Sequence, residues 1–115
     1  MSPADRIRLQ HLVDAADAAA RFAAGRQRAD LDTDQMLLFA LVRAVEIVGE
    51  AASKVSEESR IALPLPWSAM VGMRNRLVHA YFDVDRDVLW NTVCLSLPSL
   101  REAVHRALHP DSAPD

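Results

Sequence analysis

Residues 36 to 55, MLLFALVRAVEIVGEAASKV, contain no proline and are apolar or small at all but a few positions. Such a run predicts a helix. Its polar members, Arg43, Glu46, Glu50 and Lys54, recur at steps of three and four and so share one narrow stripe. A helix this apolar on its remaining sides is either central in a bundle or has a core on one side and a partner subunit on the other. The rest of the chain offers too few helices to enclose it, so the second arrangement is expected.

Ser2 before Pro3 forms an N-cap and first-turn pair, after which Ile7, Leu12, Val13, Ala16, Ala20 and Ala23 recur at helical spacing until Gly25. The central helix then has capping candidates in Asp32 and Thr33. In EESRIALPLPW, Pro64 and Pro66 break the helix, because the residue before each is pushed toward an extended conformation. A third helix begins at Pro66 or Trp67, carries Trp67, Met70, Val71, Leu77 and Val78 inward, and ends between His79 and Phe82. A fourth starts near Asp85 and presents Val88, Leu89, Trp90, Val93, Leu97, Leu100, Val104 and Leu108, with Pro98 expected to kink it. The fold class is all-α, a small up-and-down bundle of about four to five helices.

The 115 residues suit one domain over 1–109, with the polar, Pro-rich end at 110–115 expected to be a disordered tail. No apolar run reaches the ~20 residues needed to cross a bilayer, and MSPADRIRLQ lacks the order of a signal peptide, so a cytoplasmic protein without membrane contact is expected. The lone Cys94 excludes an internal disulfide and reads as a core filler; no metal-ligand spacing or cofactor motif is present. His11, His105 and His109 read as exposed positions without a chemical role, and Trp67 and Trp90 as core or dimer anchors. A net charge of −3 argues against a broad electrostatic grip on nucleic acid. Any RNA contact must be local.

The place for it is VGMRNRLVHAYFDVD, residues 71 to 85, where Arg74, Asn75, Arg76, His79 and Tyr81 gather. On an unbroken helix Arg74 and Tyr81 share a face, while His79 lies about 140° away from Arg74. The three converge if the helix ends near His79 and the chain then extends, or if two subunits build a shared cleft across a two-fold axis. Taken singly, Arg74 reads as an ion-pairing arginine, His79 as a helix C-terminal cap and Tyr81 as a half-buried core ring.

Together, Arg74, four residues, His79, one residue and Tyr81 resemble the R-x4-6-H-x-Y motif of HEPN-domain ribonucleases. PWSAMVGMRNRLVHAYFDVD resembles the HepT-like branch, the toxin of the MntA/HepT type of toxin–antitoxin system, and EIVGEAASKVS fits the same branch. The likeness spans about residues 36 to 100. It implies a metal-independent endoribonuclease, without cofactor, active as a homodimer whose two motif copies face one cleft. It also implies a toxin of a type II/VII-like prokaryotic system, neutralised by a minimal nucleotidyltransferase antitoxin that adenylylates Tyr81, with room for higher assembly with that antitoxin.

The residue types suit that chemistry. RNA carries its own nucleophile, the 2′-OH, so cleavage needs proton transfer and stabilisation of the phosphorane's charge. His79, with an ordinary imidazole pKa near ~6.5, suits the first, and the planar guanidinium of Arg74 suits the second. Asn75 is placed to orient His79 or donate to the phosphate, Tyr81 to position the scissile nucleotide, and Arg76 to hold flanking phosphate. Glu46 and Glu50 are candidates to pair with Arg74 or Arg76 and fix them. The rival reading is a non-catalytic helical dimer that binds RNA or nucleotide, or an accessory subunit docking a nucleotidyltransferase. The acidic balance leans toward it, and the pairing of a titrating group with a fixed cation leans against it.

Overall fold

The computed structural model describes residues 1–80 and 83–110, with the backbone alone for residues 78–80. Helix α1, Pro3–Ala23, starts where expected: the Ser2 hydroxyl accepts from the Asp5 N–H at 3.1 Å, and Pro3 fills the first turn. It stops ahead of Gly25, whose φ of 72° lies in the left-handed region that a residue with a Cβ avoids. A single turn, α2 (Asp30–Thr33), precedes α3, Gln35–Ser53. That turn consumes Asp32 and Thr33, the expected caps, so the cap of α3 is Asp34, whose carboxylate accepts from the Leu37 N–H at 3.0 Å. Arg26 reaches the same carboxylate at 2.7 Å and holds it below the usual range.

The EESRIA segment, expected only as a break, forms α4, Glu57–Ala62. Its N-terminus is tied to the start of α1. Asp5 is buried and accepts from the Ser56 N–H at 3.0 Å, the Ser56 hydroxyl at 2.5 Å and the Ser59 hydroxyl at 2.6 Å. These donors push its carboxyl well below the usual carboxylate range. The expected third helix is present as two pieces, α5 (Trp67–Val71) and α6 (Met73–Leu77), with Gly72 between them. Met70, Met73 and Leu77 keep helical spacing across the break and are buried, while Val71, expected inside, is exposed and lines the groove beside Glu46.

From Leu77 the chain extends into β1 (Val78–Ala80), which pairs antiparallel with β2 (Asp83–Val84) through Val78 with Val84 and Ala80 with Asp83. The Asp85 N–H donates to the Leu77 carbonyl at 2.7 Å and closes this ribbon. Asp85 also caps α7, Arg86–Asn91, accepting from the Val88 N–H at 3.0 Å. The last helix continues through a π-turn, Thr92–Ser96, into α8, Leu97–Leu108. Pro98 explains the wide turn. It has no N–H to give, and its ring would strike the carbonyl four residues back in a regular helix. The Leu97 N–H instead bonds the Thr92 carbonyl, five residues back. The inserted residue shifts the helical register, and Cys94, read as a core filler, is exposed.

The core is one apolar cluster contributed by α1, α2, α3, α5, α6 and the 86–108 helix, with Val55 after α3. Leu9, Leu12, Leu41, Val45, Val48, Met70, Leu77, Leu89 and Val104 are fully excluded from water. Each such leucine, valine or methionine contributes about 1.5–3 kcal/mol, against ~0–1 for an exposed ion pair, so packing rather than the surface arginines holds the fold. The molecule measures 42 × 32 × 18 Å. Eighteen ångström accommodates two layers of helices at most, since each is about 10–12 Å across with side chains. Consequently one side of α3 packs on the core while Met36, 84 % exposed, and Phe39, 60 %, face outward. No helix among the described residues is long and apolar enough to cross a membrane.

Candidate active site

Gly49 sets the approach of α3 to the strand-bound helix pair. A Cβ at that position would lie 3.4 Å from the carbonyl oxygens of both Met70 and Val71, so α5 rests almost directly on the α3 backbone. This close approach brings the outer stripe of α3 beside α6. Glu46, Gly49, Glu50 and Ser53 then form one wall of a shallow groove of about 170 Å³, and Val71, Arg74 and Asn75 form the other.

Within it, the Nε of Arg74 lies 3.6 Å from Oε2 of Glu46, which is the ion pair considered from the sequence. Arg74 remains half exposed. Glu46 is paired through Nε alone, and a guanidinium has four further N–H donors of the kind that grip phosphate. Glu50 does not reach Arg74 or Arg76; it pairs with Arg43 at 3.2 Å, two turns back along its own stripe. Arg76 is on the opposite side of α6 and donates to the Ala69 carbonyl at 2.8 Å, which pins its stem against α5 and leaves it outside the groove. Two residues apart on a helix point roughly 200° from one another, which explains the separation of Arg74 from Arg76.

Asn75 lines the groove, but it is not one helical turn from His79, because the helix ends at Leu77 and His79 lies on β1. The extension of the chain at His79 is the backbone arrangement of the first of the two routes to convergence considered from the sequence, the other being a cleft shared by two subunits. The His79 side chain and all of Tyr81 lie outside the described residues, as does the tail from 111 onward. No group of three or more His, Cys, Asp or Glu among the described residues is arranged to hold a metal ion. The histidines away from the motif separate: His105 and His109 lie with ring centroids 4.7 Å apart and planes tilted by 47°, whereas His11 lines a second cleft on the far flank of Glu50.

The geometry is that of an all-α domain in which a half-exposed arginine pairs with a carboxylate in a groove between helices, ahead of an extended segment that carries His79. The chain belongs to the HepT-like ribonuclease family, whose model, "Ribonuclease HepT-like", matches residues 12–107. It is 44 % identical over 73 residues to "Probable ribonuclease HepT" of Thermococcus cleftensis, a stretch covering 63 % of this chain and 66 % of that protein. It is 39 % identical over 72 residues to "Putative RNase MJ1380" of Methanocaldococcus jannaschii, covering 62 % of this chain and 66 % of that one. "Putative RNase TTE0752" of Caldanaerobacter subterraneus subsp. tengcongensis is 31 % identical over 104 residues, covering 90 % and 93 %. The matched stretch thus spans just under two thirds of the first two relatives and nearly all of the third. No solved structure gives a significant match.

Proposed function

We propose that the chain is a metal-independent endoribonuclease that cleaves RNA by attack of the substrate's own 2′-OH, with Arg74 and His79 as its catalytic residues. The observation that carries this reading is the groove in which the half-exposed Arg74 pairs with Glu46, at the head of the segment that bears His79. Arg74 binds the scissile phosphate and stabilises the charge that builds on it, His79 moves the proton, and Asn75 and Tyr81 position the nucleotide. Arg76, anchored outside the groove, meets flanking phosphate.

The working form is a homodimer, and the uncovered Met36 and Phe39 of α3, with Phe22 nearby on α1, supply the apolar surface for it. The protein acts in the cytoplasm as the toxin of a toxin–antitoxin pair, and a nucleotidyltransferase antitoxin silences it by adenylylating Tyr81. A bulky anionic group on that tyrosine would compete with RNA phosphate for the same cation.

Purified protein incubated with labelled RNA in EDTA tests the chemistry. The parent releases fragments ending in 2′,3′-cyclic phosphate. His79→Ala lowers kcat by about 10²–10⁴-fold, and Arg74→Ala by about 10²–10³-fold. RNA that is bound but left intact by the parent rejects the enzyme in favour of a binding module, the reading that the acidic pI of about 5.7 favours.

A further inference from the structure

Most arginines of this chain are occupied. Arg26, Arg28, Arg43, Arg74, Arg86, Arg101 and Arg106 pair with carboxylates, and Arg6, Arg60 and Arg76 donate to backbone carbonyls. Among the described residues the strong bases without a hydrogen bond or ion pair are Arg8, Arg21 and Lys54. Two of these three meet in one place.

Arg8 and His11 are one helical turn apart on α1 and share a face. Ile47, Ala51 and Lys54 share a face on α3 and its C-cap by the same rule. The chain of α3 runs back along α1, since Asp5 bonds Ser56 at one end while Phe22 meets Met36 and Leu37 at the other. The two faces therefore abut, and Arg8, His11 and Lys54 line a cleft of about 90 Å³ with Ile47, Glu50 and Ala51. Glu50, the acidic member, is drawn toward Arg43 at 3.2 Å. Asp14, the next carboxylate along α1, accepts from Gln10 at 3.0 Å.

Glu50 lines both this cleft and the Arg74 groove, so the two lie on either flank of one side chain. We propose that Arg8, His11 and Lys54 form a second phosphate-binding subsite, which holds the backbone of the RNA strand after it leaves the Arg74 groove. This rests on the endoribonuclease reading. Two fixed cations and a ring N–H donor suit a phosphodiester, which offers charge and acceptors without requiring base recognition. Their lack of protein partners means that binding displaces no ion pair.

The test uses a fluorescent 2′-O-methyl oligoribonucleotide, which cannot be cleaved, and the full chain. The logarithm of its binding constant is measured against the logarithm of salt concentration. Arg8→Ala/Lys54→Ala weakens binding and makes the slope shallower by about 1.4, the value for two single-strand phosphate contacts. Arg8→Lys/Lys54→Arg restores the slope, and circular dichroism melts report whether either variant folds as the parent does. A parent-like slope and affinity in a folded alanine variant overturns the subsite. So does a defect confined to capture of the nucleotidyltransferase, which would make the cluster a protein-docking surface. Because the oligonucleotide is uncleavable, the result is separate from the enzymatic reading. Cleavage lost in Arg74→Ala with an unchanged slope here removes the subsite alone, and a parent that cuts no RNA removes the activity alone.

Discussion

Arg74 can serve a phosphate only if its flexible stem is held, and Glu46 is the one carboxylate among the described residues that reaches it. Removing that carboxylate frees the guanidinium to sample other rotamers without removing its charge. Glu46→Gln should therefore lower kcat/KM less than Arg74→Ala does, by roughly tenfold if the loss resembles that of an orienting partner. In a double-mutant cycle, adding Glu46→Gln to Arg74→Ala should change little, because the carboxylate acts through the arginine. Additive losses would mean that Glu46 has a separate role. Asp5 supports a different expectation. Its carboxyl is held below its ordinary pKa, so it contributes stability that is full above the unfolded value near ~3.9 and is lost as pH falls below that. Asp5→Asn should melt below the parent at neutral pH, and the gap between the two should narrow progressively as pH is lowered below about 4.

At the scale of the elements, the contact of α3 with α5 decides where the groove wall stands. Gly49→Ala places a Cβ at ordinary contact with two carbonyls and adds helix propensity, so it should stay within about 1 kcal/mol of the parent in urea unfolding. Gly49→Leu must part the helices and should cost about 1–3 kcal/mol, with a loss of cleavage as Glu46 moves from Arg74. Equal midpoints for both variants would show that the approach is not tight. The same elements show which signals are local enough to read. The caps at Ser2 and Asp85 depend on residues three apart, and both are legible in the chain. Asp34 was hidden by the extra turn before it, and α4 by its shortness beside two prolines. Val71 and Cys94 were misplaced because an apolar residue type does not say which way its side chain turns, and both face outward beside buried neighbours.

For the whole molecule, a slab two helices thick leaves α3 with an apolar side that its own chain does not cover. If a second copy covers it, sedimentation of the parent gives a dimer, and Phe39→Glu gives a monomer with the helical content unchanged. A parent that stays monomeric at all accessible concentrations would falsify the shared-cleft arrangement. The motif from Arg74 to Tyr81 was visible as a string because its members are neighbours in sequence. The cluster of Arg8, His11 and Lys54 was not, because its members come from two helices and no spacing rule links positions some forty residues apart. Only the pairing of α1 with α3 brings them together.

The π-turn also has a practical consequence. By rotating Cys94 outward on a chain with no other cysteine, it provides one natural attachment point for a spin label or fluorophore, without engineering. Partial desolvation keeps that thiol protonated above its ordinary range, so coupling should be run on the alkaline side. Distances between labels on two associated copies would then report how the subunits are arranged while RNA or a modifying enzyme is added.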